Sequence, residues 1–294
     1  MAVPALSLTT VFAIGNLHPQ GLGVHIHSAT LLRKQFHGGN FSIAVPPQPV
    51  FSRPILWATR RWDDLPSQRT VEIAHCAEAI GEFCAAEPDI AMAYGECSRS
   101  NERSCIGAQC RQLAALPARR IAFFDLHSAA AIEPLRGKAL QLPSIELWAA
   151  HAKTFSPPID AVVSPDLGRM SDCAALAKLL AVECFAIDKK LPAGKSPLPP
   201  KGCRALVFDD EIVSGRTLSG AIGRLRDAGA LSIDVAVSYA LCQDKVLLSL
   251  AKEPGLRSLF VGDLIQRPAR SAWGTLSLAS PLLERFMAVR DAAT

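Results

Sequence analysis

Short apolar runs alternate along this chain with longer segments of helical periodicity, and this alternation restricts the fold more than any other feature. Eight runs rich in Val, Ile and Phe lie at residues 55–59, 89–94, 120–126, 161–164, 184–187, 205–208, 233–239 and 259–264. Segments with Ala and Leu at three- and four-residue spacing lie between them, as at residues 67–86, 171–182 and 218–228. Buried strands that alternate with helices form parallel sheets covered on both faces. The sequence therefore predicts an α/β protein with two doubly wound, mostly parallel sheets.

The strand series falls into two halves. One series ends near residue 132 and the next begins near residue 161, with a helical connection at residues 145–153. We therefore expect an N-terminal domain of residues 1–140 and a C-terminal domain of residues 141–294, with the last helix free to pack back on the first domain. Residues 189–202 are dense in Pro, Gly and Lys, which is typical of a long loop or lid.

Composition restricts the class of protein. The 294 residues are 49% hydrophobic and 20% charged, with a net charge of +4, which predicts a soluble globular protein and gives no basic face for nucleic acid. No apolar stretch reaches the length of a membrane span, and the apolar start, residues 3–14, is better suited to a first strand than to a secretory signal. Nine irregularly spaced cysteines favour reduced thiols in the cytoplasm.

Two adjacent carboxylates, Asp209 and Asp210, end the apolar run at residues 205–208. Neighbouring residues of a strand point to opposite sides, so the two acids can reach different hydroxyls of a sugar held across the strand end. The run is therefore a candidate sugar-binding strand.

A glycine-containing turn and an amphipathic helix follow these acids. The turn comprises Val213, Ser214, Gly215, Arg216 and Thr217. Backbone N–H groups and hydroxyls at a helix N-terminus favour a phosphate, and glycine lets the backbone approach it closely. The alternative is an ordinary strand-to-helix turn in which Asp210 and Ser214 cap the helix.

Residues 206–218 resemble the phosphoribosyl pyrophosphate signature of type I phosphoribosyltransferases. Three further segments, at residues 124–127, 162–168 and 186–192, resemble ribose-phosphate pyrophosphokinase and occur in that family's order. The resemblance implies a phosphoribosyltransferase-type fold. It also implies transfer of the diphosphoryl group of ATP to ribose 5-phosphate, assisted by Mg²⁺, in a homo-oligomer such as a dimer or hexamer.

The resemblance also implies roles for particular residues. Asp209 and Asp210 would hold the ribose hydroxyls, and residues 213–217 would hold the 5-phosphate. Lys189 corresponds to the lysine of the mobile catalytic loop, and His127 and Asp166 correspond to positions that approach the metal. The positions implied for pyrophosphate and ATP are Phe36, Asn40, Arg99, Asp166 and Gly168.

The chain departs from the family pattern on the nucleotide and catalytic side. Leu191 replaces a second cationic residue of the catalytic loop, and Arg169 and Arg216 each stand where the family has glycine. Gly38 and Asn40 replace two acids of the nucleotide loop. Two alternatives therefore stay open beside the pyrophosphokinase: a phosphoribosyltransferase that consumes phosphoribosyl pyrophosphate, and a non-catalytic regulatory homologue.

Overall fold

The structure, a computed structural model, describes residues 9–14, 26–36, 41–50, 53–59, 61, 66–94, 105–126, 129–135, 137–188, 190–191, 197–268 and 270–292. The chain forms two compact units. Unit 1 comprises Met1–Leu142 and Ala279–Thr294, and unit 2 comprises Pro143–Leu278. The division into separately folding domains at residue 140 stays a prediction.

Unit 1 is built on a six-stranded parallel sheet. Its elements in chain order are β1 (Thr9–Ala13), β2 (Ile26–Ala29), β3 (Leu32–Gln35), β4 (Phe41–Ala44), β5 (Ile55–Ala58), α1 (Pro66–Cys84), β6 (Asp89–Met92), α2 (Cys105–Ala114), β7 (Ile121–Phe124), a 3₁₀ helix (Ala129–Leu135) and β8 (Ala139–Leu142). The strand order is β2-β1-β5-β6-β7-β8, and β3 and β4 form a separate antiparallel pair.

Unit 2 contains a second six-stranded parallel sheet. Its elements are α3 (Ile145–Ala152), β9 (Ala161–Ser164), a 3₁₀ helix (Leu167–Arg169), α4 (Met170–Leu180), β10 (Glu183–Ala186), β11 (Arg204–Ile212), α5 (Arg216–Asp227), β12 (Ser232–Ala240), α6 (Asp244–Leu250), β13 (Leu256–Gly262) and β14 (Gly274–Leu276). The order β10-β9-β11-β12-β13-β14 makes β9 and β11 direct neighbours.

The α/β prediction with two mostly parallel sheets is confirmed. Central strands such as β5, β6, β7 and β9 are buried along their whole length, because helices cover both faces of a parallel sheet. The edge strands β8 and β10 are partly exposed. Strand β2, the β3–β4 pair and β14 were not predicted, because three or four residues of mixed polarity carry too little periodicity.

The last helix, α7 (Ala279–Ala292), belongs to unit 1. It places the Arg290 guanidinium against Asp89, the first residue of β6, with 3.1 Å between Nη1 and Oδ2. Arg290 Nη2 also donates to Thr9 Oγ1 at 3.1 Å. These buried contacts fasten the end of the chain to the sheet. No helix in the described ranges has both the length and the apolar character needed to cross a membrane.

His151 of α3 lies among aromatic rings in unit 2. Its ring centroid is 4.5 Å from that of Phe260 and 5.2 Å from that of Phe155. Its Nε2 atom is buried and has no hydrogen-bond partner in the described part of the chain. Burial lowers the pKa of the imidazole below its ordinary value of 6.5.

We expect this histidine to make unit 2 less stable in acid. A group whose pKa is lower in the folded state than in the unfolded state stabilises the fold at pH values above its unfolded pKa. This stabilisation is lost as the pH falls below 6.5 toward the folded pKa. The urea concentration at the unfolding midpoint should therefore decrease as the pH is lowered from 8 to 5.5. It should decrease less in His151→Phe. His75→Gln is the control, because it removes a histidine of α1 in unit 1 and leaves His151 in place, so unit 2 should keep the parent's dependence. An unchanged slope in His151→Phe would refute the assignment.

Candidate functional site

The two predicted sugar-binding carboxylates lie in β11. Asp209 is 8% exposed and Asp210 is 7% exposed, so both stand in a largely buried position. The Asp209 Oδ1 atom accepts the backbone N–H of Asp210 at 3.0 Å. This contact fixes the orientation of the Asp209 carboxylate relative to the strand.

One detail of the sequence interpretation was wrong, since the strand does not stop at these acids. Strand β11 continues to Ile212 because β12 pairs with it over that whole length, with Ile212 opposite Ala240. The acids therefore lie inside the last half of a strand, where the ladder holds the backbone rigid. Their alternation between the two faces of the strand is unaffected.

Asp166 follows the neighbouring strand β9. Its Oδ1 atom accepts the N–H of Gly168 at 3.0 Å and thereby caps the short 3₁₀ helix that leads into α4. The Ser164 hydroxyl, fully buried, donates to Asp166 O at 2.5 Å. A Cβ atom at position 168 would lie 3.2 Å from Asp166 Oδ1, so glycine keeps this loop compact.

Arg169 joins the two strand ends. Its Nη2 contacts Asp210 Oδ2, and its Nη1 donates to Asp172 Oδ2 at 2.8 Å. The Arg169 side chain is 6% exposed and the Asp210 side chain 10%, so the pair is buried. The sequence singled out Arg169 only as a departure from glycine; nothing in its local pattern indicates Asp210 as its partner. The contact follows from β9 and β11 being adjacent, which brings their carboxyl ends together.

The turn between β11 and α5 leads into the N-terminus of a helix. Gly215, the N-cap of α5, has φ of 74°, in the left-handed region. The Arg216 N–H donates to Ser214 Oγ at 3.5 Å, a long contact at the start of the helix. Val213 is 56% exposed, Ser214 and Arg216 are exposed, and Thr217 is partly buried. The helix N-terminus therefore presents backbone N–H groups beside hydroxyls and a cation.

A cavity of about 380 Å³ adjoins this turn. Its lining includes Ser214, Gly215 and Arg216 from the turn, and Lys245 and Glu253 from the region of α6. The lining therefore includes two cations and one carboxylate.

The segment on either side of Lys189 is attached to α5. Arg224 Nη1 donates to Asp188 O at 3.2 Å, and its Nη2 donates to Leu191 O at 3.4 Å. The N–H of Lys190 donates to Asp188 Oδ1 at 2.8 Å. Arg224 was not predicted, because its partners are backbone carbonyls that no sequence pattern reveals.

The remaining predicted residues are Phe36, Asn40, Arg99, His127 and Lys189. Phe36 lies in unit 1, is 47% exposed, and has Lys34 Nζ 5.2 Å from its ring centroid. Asn40, Arg99, His127 and Lys189 lie outside the described residues.

The described residues contain no group of three His, Cys, Asp or Glu side chains placed to hold a metal ion. This arrangement is compatible with Mg²⁺, which keeps several waters and takes one or two protein carboxylates together with phosphate oxygens. Asp166, with its carboxylate oriented by the Gly168 amide, is the described candidate for such a ligand.

Known proteins resemble this chain in sequence. The ribose-phosphate pyrophosphokinase of Maricaulis maris is 34% identical over 116 residues, which cover 37% of each chain. That of Methanothermobacter thermautotrophicus is 28% identical over 144 residues, 47% of this chain and 50% of the relative. The aligned stretch spans about half the length of the curated relatives or less. No family model matches the chain.

One solved structure resembles the whole fold. The phosphoribosylpyrophosphate synthetase from Mycobacterium smegmatis superposes with a TM-score of 0.79, covering 97% of this chain and 100% of that one, at 21% sequence identity. At 21% sequence identity, this likeness shows the fold alone.

Proposed function

Because this chain is a divergent member of the ribose-phosphate pyrophosphokinase family, with a phosphoribosyltransferase-type fold, we propose that it transfers the diphosphoryl group of ATP to ribose 5-phosphate. The anomeric hydroxyl oxygen forms a bond to the β-phosphorus and loses its proton. The bond between that phosphorus and the oxygen of the α-phosphate breaks. The products are phosphoribosyl pyrophosphate and AMP.

One observation supports the proposal: neighbouring parallel strands bring three kinds of group to their carboxyl ends. The Asp166 loop follows β9, the carboxylates of Asp209 and Asp210 lie toward the end of β11, and the glycine turn begins α5. Ligands of open parallel sheets bind outside the carboxyl ends of the strands. Carboxylates that accept hydrogen bonds from hydroxyls, next to amide N–H groups that donate to a phosphate, fit a sugar phosphate.

The proposed assignment follows these groups. The β11 carboxylates hold ribose hydroxyls, and residues 213–217 hold the 5-phosphate. The Asp166–Gly168 loop faces the diphosphate, and Phe36, Asn40 and Arg99 serve the nucleotide.

Mg²⁺, held by Asp166 and His127, would neutralise phosphate charge when bound. Lys189 places a cation at the transferring group, which is the contribution that phosphoryl transfer needs most. Like its relatives' substrates, the proposed ligands are small molecules, and we propose a cytoplasmic homo-oligomer.

The direct test is a coupled assay with ribose 5-phosphate, ATP and Mg²⁺ that follows AMP and phosphoribosyl pyrophosphate together. We expect equal amounts of both products. In Lys189→Ala we expect kcat to fall by about 10² to 10³, since a cation that stabilises transition-state charge is lost. Lys190→Ala is the matched control, because it removes the exposed neighbouring lysine and should leave kcat within about twofold.

Three results would contradict the proposal. AMP without phosphoribosyl pyrophosphate would indicate a different acceptor, and equal losses in the two lysine variants would remove the role of Lys189. Absence of turnover together with tight ribose 5-phosphate binding would favour the regulatory homologue, for which the replacement of a catalytic cation by Leu191 is the supporting feature.

A further inference from the structure

We propose that Arg224 of α5 is a positioning residue for the diphosphoryl transfer, because it holds the backbone on either side of Lys189. This inference rests on the proposed function, since it concerns how the cation proposed at the transferring group is kept in place. The observation behind it is a pair of hydrogen bonds from one guanidinium. Arg224 Nη1 donates to Asp188 O at 3.2 Å, and Nη2 donates to Leu191 O at 3.4 Å.

The Arg224 contacts meet a short turn just beyond β10. The N–H of Leu191 donates to Asp188 O at 3.2 Å, so this oxygen accepts from the backbone as well as from Arg224. The Asp188 Oδ1 atom accepts the N–H of Lys190 at 2.8 Å. The backbone on both sides of Lys189 is therefore held by hydrogen bonds, and Arg224 supplies those that reach outside the turn.

The entry to this turn is fixed in the core beneath α5. Ile187 is 2% exposed, and its N–H donates to Ser164 O of β9 at 3.0 Å. Its side chain belongs to the same apolar core as Ile222 and Leu225 of α5. The helix that begins at the glycine turn thus also packs against the entry to residues 188–191 and carries their anchor.

Arginine is suited to this place in a way that lysine is not. A guanidinium is planar and presents its donors in a rigid fork, so one side chain can hold two carbonyls at a fixed separation. An ammonium is a compact charge on a flexible stem and cannot reproduce that geometry. Because a displacement of about 1 Å in a reacting group can cost about a hundredfold in rate, loss of the fork should affect turnover. The sugar phosphate, proposed to bind at the start of α5, should bind as before.

The test is steady-state kinetics of the full chain with ribose 5-phosphate, ATP and Mg²⁺, together with calorimetric titration of ribose 5-phosphate. In Arg224→Met, which keeps the apolar stem, we expect kcat to fall about 10- to 100-fold while the Kd for ribose 5-phosphate stays within about twofold. Arg224→Lys should lose nearly as much kcat, because it keeps the charge and loses the fork. A parent kcat in Arg224→Lys would show that the charge alone acts and would overturn the positioning role.

A double-mutant cycle with Lys189→Ala measures whether Arg224 acts through Lys189. If it does, adding Arg224→Met to Lys189→Ala lowers kcat by no more than about twofold further, because the group that Arg224 positions is already absent. Losses that multiply in the double variant would show a structural effect independent of Lys189, and would overturn the inference.

Arg226→Met is the matched control, because it removes a neighbouring arginine of α5 whose guanidinium is paired with the exposed Asp227 at 2.9 Å. It should leave kcat and Kd within about twofold of the parent values. A parent kcat in Arg224→Met, with both products still formed, would overturn this inference and leave the proposed function intact. A parent that forms neither product would overturn the proposed function, and this inference with it.

Discussion

Replacing Asp89 by asparagine is expected to lower the free energy of unfolding of unit 1 by about 3 to 5 kcal/mol. Asp89 is fully buried, and its Oδ2 atom accepts from Arg290 Nη1 at 3.1 Å and from Arg53 Nε at 2.7 Å. Arg290 itself is 2% exposed. Removing the carboxylate charge takes the ionic partner Asp89 away from the buried Arg290 guanidinium, and breaking a buried ion pair in this way is costly.

The measurement is hydrogen exchange followed by mass spectrometry in increasing urea, which reads β6 of unit 1 separately from β12 of unit 2. Asp227→Asn is the matched control, since its ion pair with Arg226 at 2.9 Å has side chains 72% and 44% exposed. It should change stability by less than about 1 kcal/mol. A loss in Asp89→Asn no larger than that of the control would show that the Arg290 contact does not hold α7 to the sheet.

Replacing Gly215 by alanine is expected to weaken ribose 5-phosphate binding by about 10- to 100-fold. The left-handed φ of 74° costs an alanine about 1 to 2 kcal/mol. Its Cβ atom would lie 2.9 Å from Val246 Cγ1 and 3.3 Å from Leu250 Cδ1, an overpacked contact that adds about 1 to 3 kcal/mol. The turn relieves this strain by shifting, and the shift misaligns the amides proposed to bind the 5-phosphate.

Gly220→Ala is the matched control, because a Cβ atom at that position in α5 meets no described atom within 4 Å. It should leave binding unchanged and stabilise the helix by about 0.5 to 1 kcal/mol. Calorimetry with ribose 5-phosphate measures binding, and a thermal melt measures stability. If Gly215→Ala binds as tightly as the parent, the turn does not hold the phosphate. The loss should be equal for 2-deoxyribose 5-phosphate, because the 5-phosphate is common to both ligands.

These experiments distinguish sugar phosphate binding from catalysis. The glycine turn is expected to govern affinity for the 5-phosphate whatever the sugar. A protein that binds ribose 5-phosphate without turnover would keep this property. Leu191 and Lys189 belong to the separate question of whether the bound sugar receives a diphosphate.

Much of the fold could be predicted from local pattern. The run at residues 161–164 coincides with β9, and the periodic segment at residues 218–228 lies largely within α5. The predicted end of β11 was wrong by four residues, since Asp209 and Glu211 are polar but still pair with β12, as does Ile212. Pairing with a neighbour decides where a strand ends, and local hydrophobicity does not report it.

The sequence by itself determined the α/β class, the order of the elements, the adjacent acids at residues 209 and 210, and the glycine turn that follows them. These features depend on periodicity and on residue types a few positions apart, so a short window of sequence is enough to predict them. Tertiary structure alone decided that Arg169 contacts Asp210, 41 positions away, and that Arg290 contacts Asp89, 201 positions away. Such contacts depend on which strands and helices become neighbours, and that choice follows from packing the whole chain around its cores.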